Sequence, residues 1–143
     1  MWRYTVNTVE QEQNVKKIFI VDDNRLLLDM YLVAFESQGF EVTPAFGGID
    51  AVEKLRGGIT PDLILFDIET SILNSFEVLK IMRSENLIPN AKIIVFSTIK
   101  REASDEESRS LGVNKYLSKI TTTPSQLVQE VRAMLDAVTP PTH

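Results

Sequence analysis

Short apolar runs alternate along the chain with longer stretches in which apolar residues recur every three or four positions. Runs such as IFIV and LILF are apolar without interruption, which is typical of strands buried on both faces of a parallel sheet. Pro44 predicts an edge position or a strand end for the run that contains it. The predicted strands are 16–23, 40–46, 63–67, 91–97 and 114–119.

Amphipathic stretches separate these runs and predict helices at 24–38, 49–56, 75–84, 100–111 and 124–137. In the first helix, the apolar residues at helical spacing are Leu27, Met30, Tyr31, Ala34 and Phe35. In the last helix, the predicted buried face consists of Leu127, Val131, Met134 and Leu135. The alternation of strand and helix predicts an α/β domain with a parallel sheet, right-handed crossovers and helices on both faces.

Composition and charge exclude several classes of protein. The 143 residues carry a net charge of −5 and include no cysteine, which excludes disulfides, thiolate metal sites and thiol nucleophiles. The acidic balance argues against nucleic-acid binding by this domain. No apolar run reaches the roughly 18 residues of a membrane span, and the N-terminal segment lacks the apolar core of a secretory signal. We therefore expect a cytoplasmic domain that binds neither nucleic acid nor membrane.

Polar residues end four of the predicted strands. Asp22 and Asp23 follow the first strand, Asp67 the third, Ser97 the fourth and Lys119 the fifth. The carboxyl ends of parallel strands meet at one edge of a sheet, which is where such sheets bind ligands. Each residue alone is most often a turn former, a helix cap or a surface charge. Their shared position predicts that they form one site.

The chemistry of that site follows from its charges. Clustered carboxylates repel one another and need a cation. With oxygen ligands only, and a single histidine at the C-terminus, the fitting metal is Mg²⁺ or Mn²⁺. A hydroxyl and an ammonium opposite the metal would hold the oxygens of a transferred phosphoryl group. The implied reaction is attack of an aspartate carboxylate on phosphorus, which gives an acyl phosphate.

Four motifs occur in order with characteristic spacing: IFIVDDN, PDLILFD, KIIVFST and GVNKYLSK. Together they make residues 16–138 resemble a response-regulator receiver domain of two-component signalling. Residues 1–15 would then be an N-terminal extension and residues 139–143 a tail. The resemblance implies a flavodoxin-like fold with strand order 2-1-3-4-5. It also implies a signalling phosphoacceptor rather than an enzyme with a separate substrate.

The resemblance implies a role for each site residue. Asp67 would be the phosphoacceptor in a Mg²⁺-dependent reaction, and Asp22 would act through a metal-bound water. The direct metal ligands would be Asp23, Asp67 and the backbone carbonyl of Glu69. Ser97 and Lys119 would bind phosphoryl oxygens, with Ser97 and Tyr116 forming the conformational switch.

The resemblance also implies partners. The phosphoryl group would come from a histidine kinase or a phosphotransfer protein. The signal would leave through the face of the fourth helix, fifth strand and fifth helix, to a downstream protein or a second copy of the chain.

The sequence departs from the family pattern around the site. Ser71 and Asn74-Ser75 replace the usual Pro and Asp-Gly, and Thr98 replaces a small residue. Because Glu69 would lie near the mouth of the site and Thr98 adds bulk there, we expect slow phosphorylation by small phosphodonors and an altered acyl-phosphate lifetime. Ile120 replaces the usual proline after the lysine, which predicts a trans Lys119–Ile120 bond because a non-proline cis bond costs about 2.5–4 kcal/mol.

Two alternative functions stay open at this point. FDIET at 66–70 is close to the nucleophile motif of haloacid-dehalogenase-type phosphatases, but no second acidic pair follows Lys119. The altered loop after Asp67 favours a degenerate receiver that acts as an interaction module without phosphorylation. The intact acids, Ser97 and Lys119 oppose that interpretation.

The N-terminal extension is unusually apolar for a free segment. It contains Trp2, Tyr4, Val6 and Val9. Leu28 and Leu32 fall where related helices usually carry exposed charged residues, and their spacing places them on one helix face. We expect the extension, or a second copy of the chain, to cover that face.

Overall fold

One parallel sheet organises the protein. A computed structural model describes residues 15–67, 75–98 and 106–136. Its strands are β1 (Lys17–Asp22), β2 (Glu41–Phe46), β3 (Leu63–Phe66), β4 (Lys92–Ser97) and β5 (Lys115–Ser118). Its helices are α1 (Arg25–Glu36), α2 (Gly48–Arg56), α3 (Ser75–Ser84), α4 (Glu106–Ser110) and α5 (Pro124–Asp136). All strand pairs are parallel in the order β2-β1-β3-β4-β5, which confirms the expected fold class and strand order.

The sequence pattern explains the position of each strand. All four residues of the central strand β3 are buried, as its uninterrupted apolar run predicts. Pro44 lies in the edge strand β2, opposite Ile20 of β1, so the missing N–H of the proline does not break a central ladder. The edge position predicted for this run is confirmed.

Two apolar layers cover the sheet, one on each face. The first layer contains Val52 of α2 and Leu79 and Met82 of α3, packed against residues such as Phe19 and Ile64. The second contains residues of α1 and α5, with Phe35 and Leu127 completely buried. The helices therefore lie on both faces, as the alternation predicts.

The prediction that the N-terminal extension or a second copy covers Leu28 is wrong, because Leu28 faces the core of its own domain. Leu28 is 5% exposed and belongs to the core together with Tyr31 and Phe35. These three residues recur at spacings of three and four, so they form the inner face of α1. Leu32 is half-buried, whereas Met30, predicted on the apolar face, is 43% exposed.

The last helix and the fourth helix differ further from the prediction. Met134 and Leu135 are half-buried instead of fully buried. The described part of the predicted fourth helix is Glu106–Ser110, and residues 99–105 lie outside the described ranges. The N-terminal extension up to residue 14 and the tail also lie outside them. Among the described helices, none is long and apolar enough to cross a membrane.

The burial of Leu28 in the core predicts unequal effects of two leucine substitutions. Leu28→Ala removes a buried side chain and should lower the free energy of unfolding by about 2–5 kcal/mol. Leu26→Ala alters a side chain that is 79% exposed and should lower it by less than about 1 kcal/mol. Urea unfolding of both variants measures the difference. Equal losses would contradict the assignment of Leu28 to the core.

Candidate functional site

The predicted charged residues lie at the carboxyl ends of three strands, at one edge of the sheet. Asp22 is the last residue of β1, Asp67 directly follows β3 and Lys119 directly follows β5. The backbone N–H of Asp67 donates to the carbonyl of Val21 over 3.1 Å, and that of Lys119 donates to the carbonyl of Ser97 over 2.9 Å. These bonds extend the parallel ladder by one residue, so the backbone holds both side chains beside their neighbours.

The acidic residues form a cluster with the donor set of a hard metal ion. One carboxylate oxygen from each of Asp22, Asp23 and Asp67 lies within 4.8 Å of the others. Asp22 and Asp67 are almost fully buried, and Asp23 is half-buried. A group of carboxylates with one member open to solvent suits Mg²⁺, which binds oxygen and retains several waters. The residues present therefore fit the predicted ion.

The Lys119 ammonium lies between two of the carboxylates. Its Nζ is 2.9 Å from Oδ2 of Asp22 and 2.9 Å from Oδ2 of Asp67. The Lys119 side chain is only 7% exposed, and its carboxylate partners are less exposed still. Desolvated charges of this kind are stable only when they are paired, and Lys119 has two buried carboxylate partners.

Aromatic residues form the apolar floor of the site. The ring of Phe96 lies 5.9 Å from Lys119 Nζ, and Tyr31 of α1 packs edge-on against Phe96 with 5.4 Å between ring centroids. This floor keeps water away from the ammonium and strengthens its attraction to the acids. Burial also raises the pKa of the Tyr31 hydroxyl.

Asn24 is a supporting residue that the sequence analysis missed. Its backbone N–H donates to Oδ1 of Asp22 over 2.9 Å, while its side-chain oxygen accepts from the N–H of Leu27 over 3.1 Å. One residue thus begins α1 and orients the Asp22 carboxylate. The signal was present, because asparagine is a preferred N-cap and directly precedes the helix.

The electrostatics of the two buried partners follow from these contacts. Burial raises the pKa of Asp22 above its ordinary value, and the charge of Asp67 adds to the rise against opposing hydrogen bonds from Lys119 and Asn24. Burial alone would lower the pKa of Lys119, but its hydrogen bonds to Asp22 and Asp67 and their charges outweigh it. The pKa of Lys119 therefore lies above its ordinary value, and the ammonium stays charged at neutral pH.

The remaining predictions about the site concern Ser97, Thr98, Glu69 and the Lys119–Ile120 bond. Ser97 is buried at the end of β4 and pairs with Ser118, the residue before Lys119. Thr98, which directly follows it, is exposed. The Lys119–Ile120 bond is trans, as predicted, because the described residues contain no cis peptide bond. Glu69, like the rest of 68–74, lies outside the described residues.

Tyr116 contacts a residue that the sequence did not single out. Its hydroxyl forms a hydrogen bond with the hydroxyl of Ser108, which is completely buried in α4. The Tyr116 ring is half-buried and packs against the core layer below α4. The bond links β5 to α4, so the position of the ring depends on that helix. A serine in a polar stretch gives no sequence signal for such a contact.

Comparisons with known proteins agree with this geometry. The family described as response regulator receiver domain has a model that matches residues 18–132. The polar-differentiation response regulator DivK of Brucella anthropi is 26% identical over 120 residues, which cover 84% of this chain and 96% of that protein.

Solved structures of receiver domains are also similar to this chain. A CheY-like response regulator receiver domain protein from Methanospirillum hungatei superposes with a TM-score of 0.75 at 27% identity, covering 86% of this chain and 95% of that one. The chemotaxis response regulator CheY4 of Vibrio cholerae shares the fold, with a TM-score of 0.73 at 23% identity over 83% of this chain and 98% of that one.

The raised pKa of Asp22 predicts how stability depends on pH in metal-free buffer. Asp22→Asn cannot ionise and should be more stable than the natural protein at pH 7–8, because burial disfavours the charged carboxylate. As the pH falls through the raised pKa, the folded natural protein takes up a proton before the unfolded chain does and gains stability. The advantage of the variant should therefore shrink on acidification.

Urea unfolding at a series of pH values measures this difference, with chelator present throughout. Asp29→Asn, at an exposed acidic position of α1, is the control and should show no comparable trend. A stability difference between Asp22→Asn and the natural protein that stays constant from pH 8 to pH 4 would contradict the electrostatic account.

Proposed function

Since this chain belongs to the response regulator receiver domain family, we propose that it accepts a phosphoryl group on Asp67. The observation that carries the proposal is the pairing of a buried carboxylate, Asp67, with a buried ammonium, Lys119, beside two further acids. The Asp67 carboxylate serves as nucleophile, and the neighbouring charged groups stabilise the phosphoryl oxygens. An ion pair with a purely structural role does not need two further carboxylates beside it.

The reaction transfers a phosphoryl group from a donor protein to this chain. An Oδ atom of Asp67 forms a bond to phosphorus as the bond between phosphorus and a histidine nitrogen of the donor breaks, and that nitrogen keeps the electron pair. The product on this chain is an acyl phosphate. Lys119, already 2.9 Å from Asp67, exchanges its contact with the carboxylate for one with a phosphoryl oxygen. The Ser97 hydroxyl donates to another phosphoryl oxygen.

A divalent cation completes the charge balance. Asp23 and Asp67 would hold Mg²⁺ or Mn²⁺ directly and Asp22 through a metal-bound water, with the Glu69 carbonyl as a further ligand by resemblance to the family. Three carboxylates and one ammonium leave the ionised site negative, which repels an incoming phosphoryl group. The bound ion supplies the positive charge that offsets this repulsion.

The partners follow from the same reaction. The donor is a histidine kinase or a phosphotransfer protein in the cytoplasm, and the output passes through the face that α4, β5 and α5 form. Tyr116 on β5 and Ser108 on α4 both lie on this face, and a hydrogen bond joins their hydroxyls. Movement of Ser97 towards a phosphoryl group would change the space beside Tyr116 and shift the population of its ring positions.

Binding of beryllofluoride, which mimics a phosphoryl group, tests the proposal. We expect ¹⁹F NMR to show a bound species that requires both Mg²⁺ and Asp67 and is therefore lost in Asp67→Asn. Asp62→Asn is the matched control, since Asp62 lies just before the opposite end of β3 and accepts a hydrogen bond from Lys17. Absence of a bound species in the natural protein would favour the degenerate receiver, and hydrolysis of free phosphate esters would favour a phosphatase.

The Ser108 contact predicts a second result. Ser108→Ala removes a hydroxyl partner of Tyr116, so amide NMR shifts in α4 and β5 should move towards those of the beryllofluoride-bound protein. Tyr116→Phe should produce a similar displacement, and the double variant little more, because both single changes break the same bond. Unchanged shifts in α4 and β5 would show that the bond does not hold the switch.

A further inference from the structure

A half-buried arginine in the last turn of α3, Arg83, reaches the carboxyl end of α4. Its Nε donates to the carbonyl of Leu111 over 2.9 Å, and its Nη1 donates to the carbonyl of Ile88 over 3.3 Å. Leu111 directly follows α4, and Ile88 lies between α3 and β4. The last carbonyls of a helix have no partner within the helix, and an arginine side chain can provide one. Arg83 therefore ties the end of α4 to the segment that follows α3.

A glycine leaves room for this guanidinium. Gly112 has a φ of +77°, a left-handed conformation that other residues rarely adopt. A Cβ atom at this position would lie 2.5 Å from Nη2 of Arg83, so any larger residue would displace the guanidinium. The residue that ends α4 thus also allows Arg83 to approach.

The residues after α4 close the helix in a Schellman motif. The N–H of Gly112 donates to the carbonyl of Arg109 over 3.1 Å, and the N–H of Val113 donates to the carbonyl of Ser108 over 3.0 Å. Ser108 is also the residue whose hydroxyl contacts Tyr116. The helix end therefore fixes the backbone of Ser108, while its side chain meets β5.

We propose that Arg83 is a positioning residue for the contact between Ser108 and Tyr116. The guanidinium holds the helix end at Leu111. That helix end fixes the backbone of Ser108, which places the Ser108 hydroxyl beside Tyr116. The inference rests on the proposed role of Tyr116 as a switch, and it adds that the resting state of the switch depends on α3, a helix outside the output face.

Apolar packing alone does not fix this contact. Leu111 and Val113 are buried in the core layer, but apolar contacts have no preferred direction. A hydrogen bond between two hydroxyls requires oxygens within about 3 Å of each other and in alignment. The planar fork of Arg83 supplies direction, because two of its nitrogens bind carbonyls on separate segments. A small shift of the helix end would break the hydroxyl contact before it exposed the core.

Amide NMR spectra of Arg83→Lys and Ser108→Ala, recorded without beryllofluoride, test the proposal. Arg83→Lys keeps the positive charge but lacks the planar fork. The amide shifts of β5, which contains neither substitution, should move in the same direction in both variants. The double variant should move them little further than Ser108→Ala alone, because Arg83 acts through Ser108. Full additivity, or displacements in unrelated directions, would overturn the proposal.

Arg56→Lys is the matched control. The Arg56 guanidinium binds both carboxylate oxygens of Glu85, two residues after Arg83, over 2.9 and 2.5 Å. The control therefore removes a similar fork near the same end of α3, through a contact that does not include α4. It should leave the amide shifts of β5 unchanged.

Hydrogen exchange separates the two lysine variants further. The amide of Val113, which donates to Ser108, should exchange about tenfold faster or more in Arg83→Lys, because a charged donor no longer holds the helix end. Its exchange rate should not change in Arg56→Lys. Equal exchange rates, or equal displacements of β5 in the two variants, would overturn the proposal.

Tyr116→Phe tests the same link with Arg83 intact, in case Arg83→Lys does not fold. Because coupling between two sites is reciprocal, loss of the Tyr116 hydroxyl should shift the Nε–H resonance of Arg83 and leave that of Arg56 in place. An Arg83 resonance that does not move would overturn the proposal. None of these spectra requires beryllofluoride, so a failure to bind it would count against the phosphoacceptor role of Asp67 alone.

Discussion

The mutual repulsion of buried carboxylates is the constraint on which the site depends. Asp22 and Asp67 lie nearly free of solvent, with Asp23 close by, and their charges cannot be tolerated there without a cation. Lys119 provides it, with 2.9 Å contacts to both buried acids. These contacts also join residues 97 and 52 positions apart, so one ammonium ties the carboxyl ends of β1, β3 and β5 together.

The surrounding structure serves that arrangement. The parallel ladder continues one residue past β3 and β5, which fixes the backbones of Asp67 and Lys119. Asn24 begins α1 and at the same time orients Asp22. Phe96 supplies an apolar floor that raises the strength of the ion pairs. A cluster held in this way is pre-organised to take a divalent cation and a phosphoryl group, and both would relieve or redistribute its negative charge.

The sequence predicted that the acids and Lys119 come together, because each of these residues ends an apolar run. Periodicity predicted the alternating fold, while the strand order came from the family resemblance. The prediction of what covers Leu28 failed because consecutive leucines in the RLLL segment at 25–28 occupy several helix faces, and only the packing of α1 on the sheet selects the buried one. Ser108 was not predicted because its partner, Tyr116, lies on β5 and the contact between them forms only in the folded domain.

Intact-mass spectrometry tests the central claim most directly. The protein is incubated with Mg²⁺ and a phosphorylated histidine donor, reduced with borohydride to trap acyl phosphate, and digested for peptide mapping. We expect the mass of one phosphoryl group to be added before reduction, and the trapped residue to be Asp67. No gain in mass, or a modification that maps to Asp22, Ser97 or any residue other than Asp67, would contradict the proposed role of the cluster.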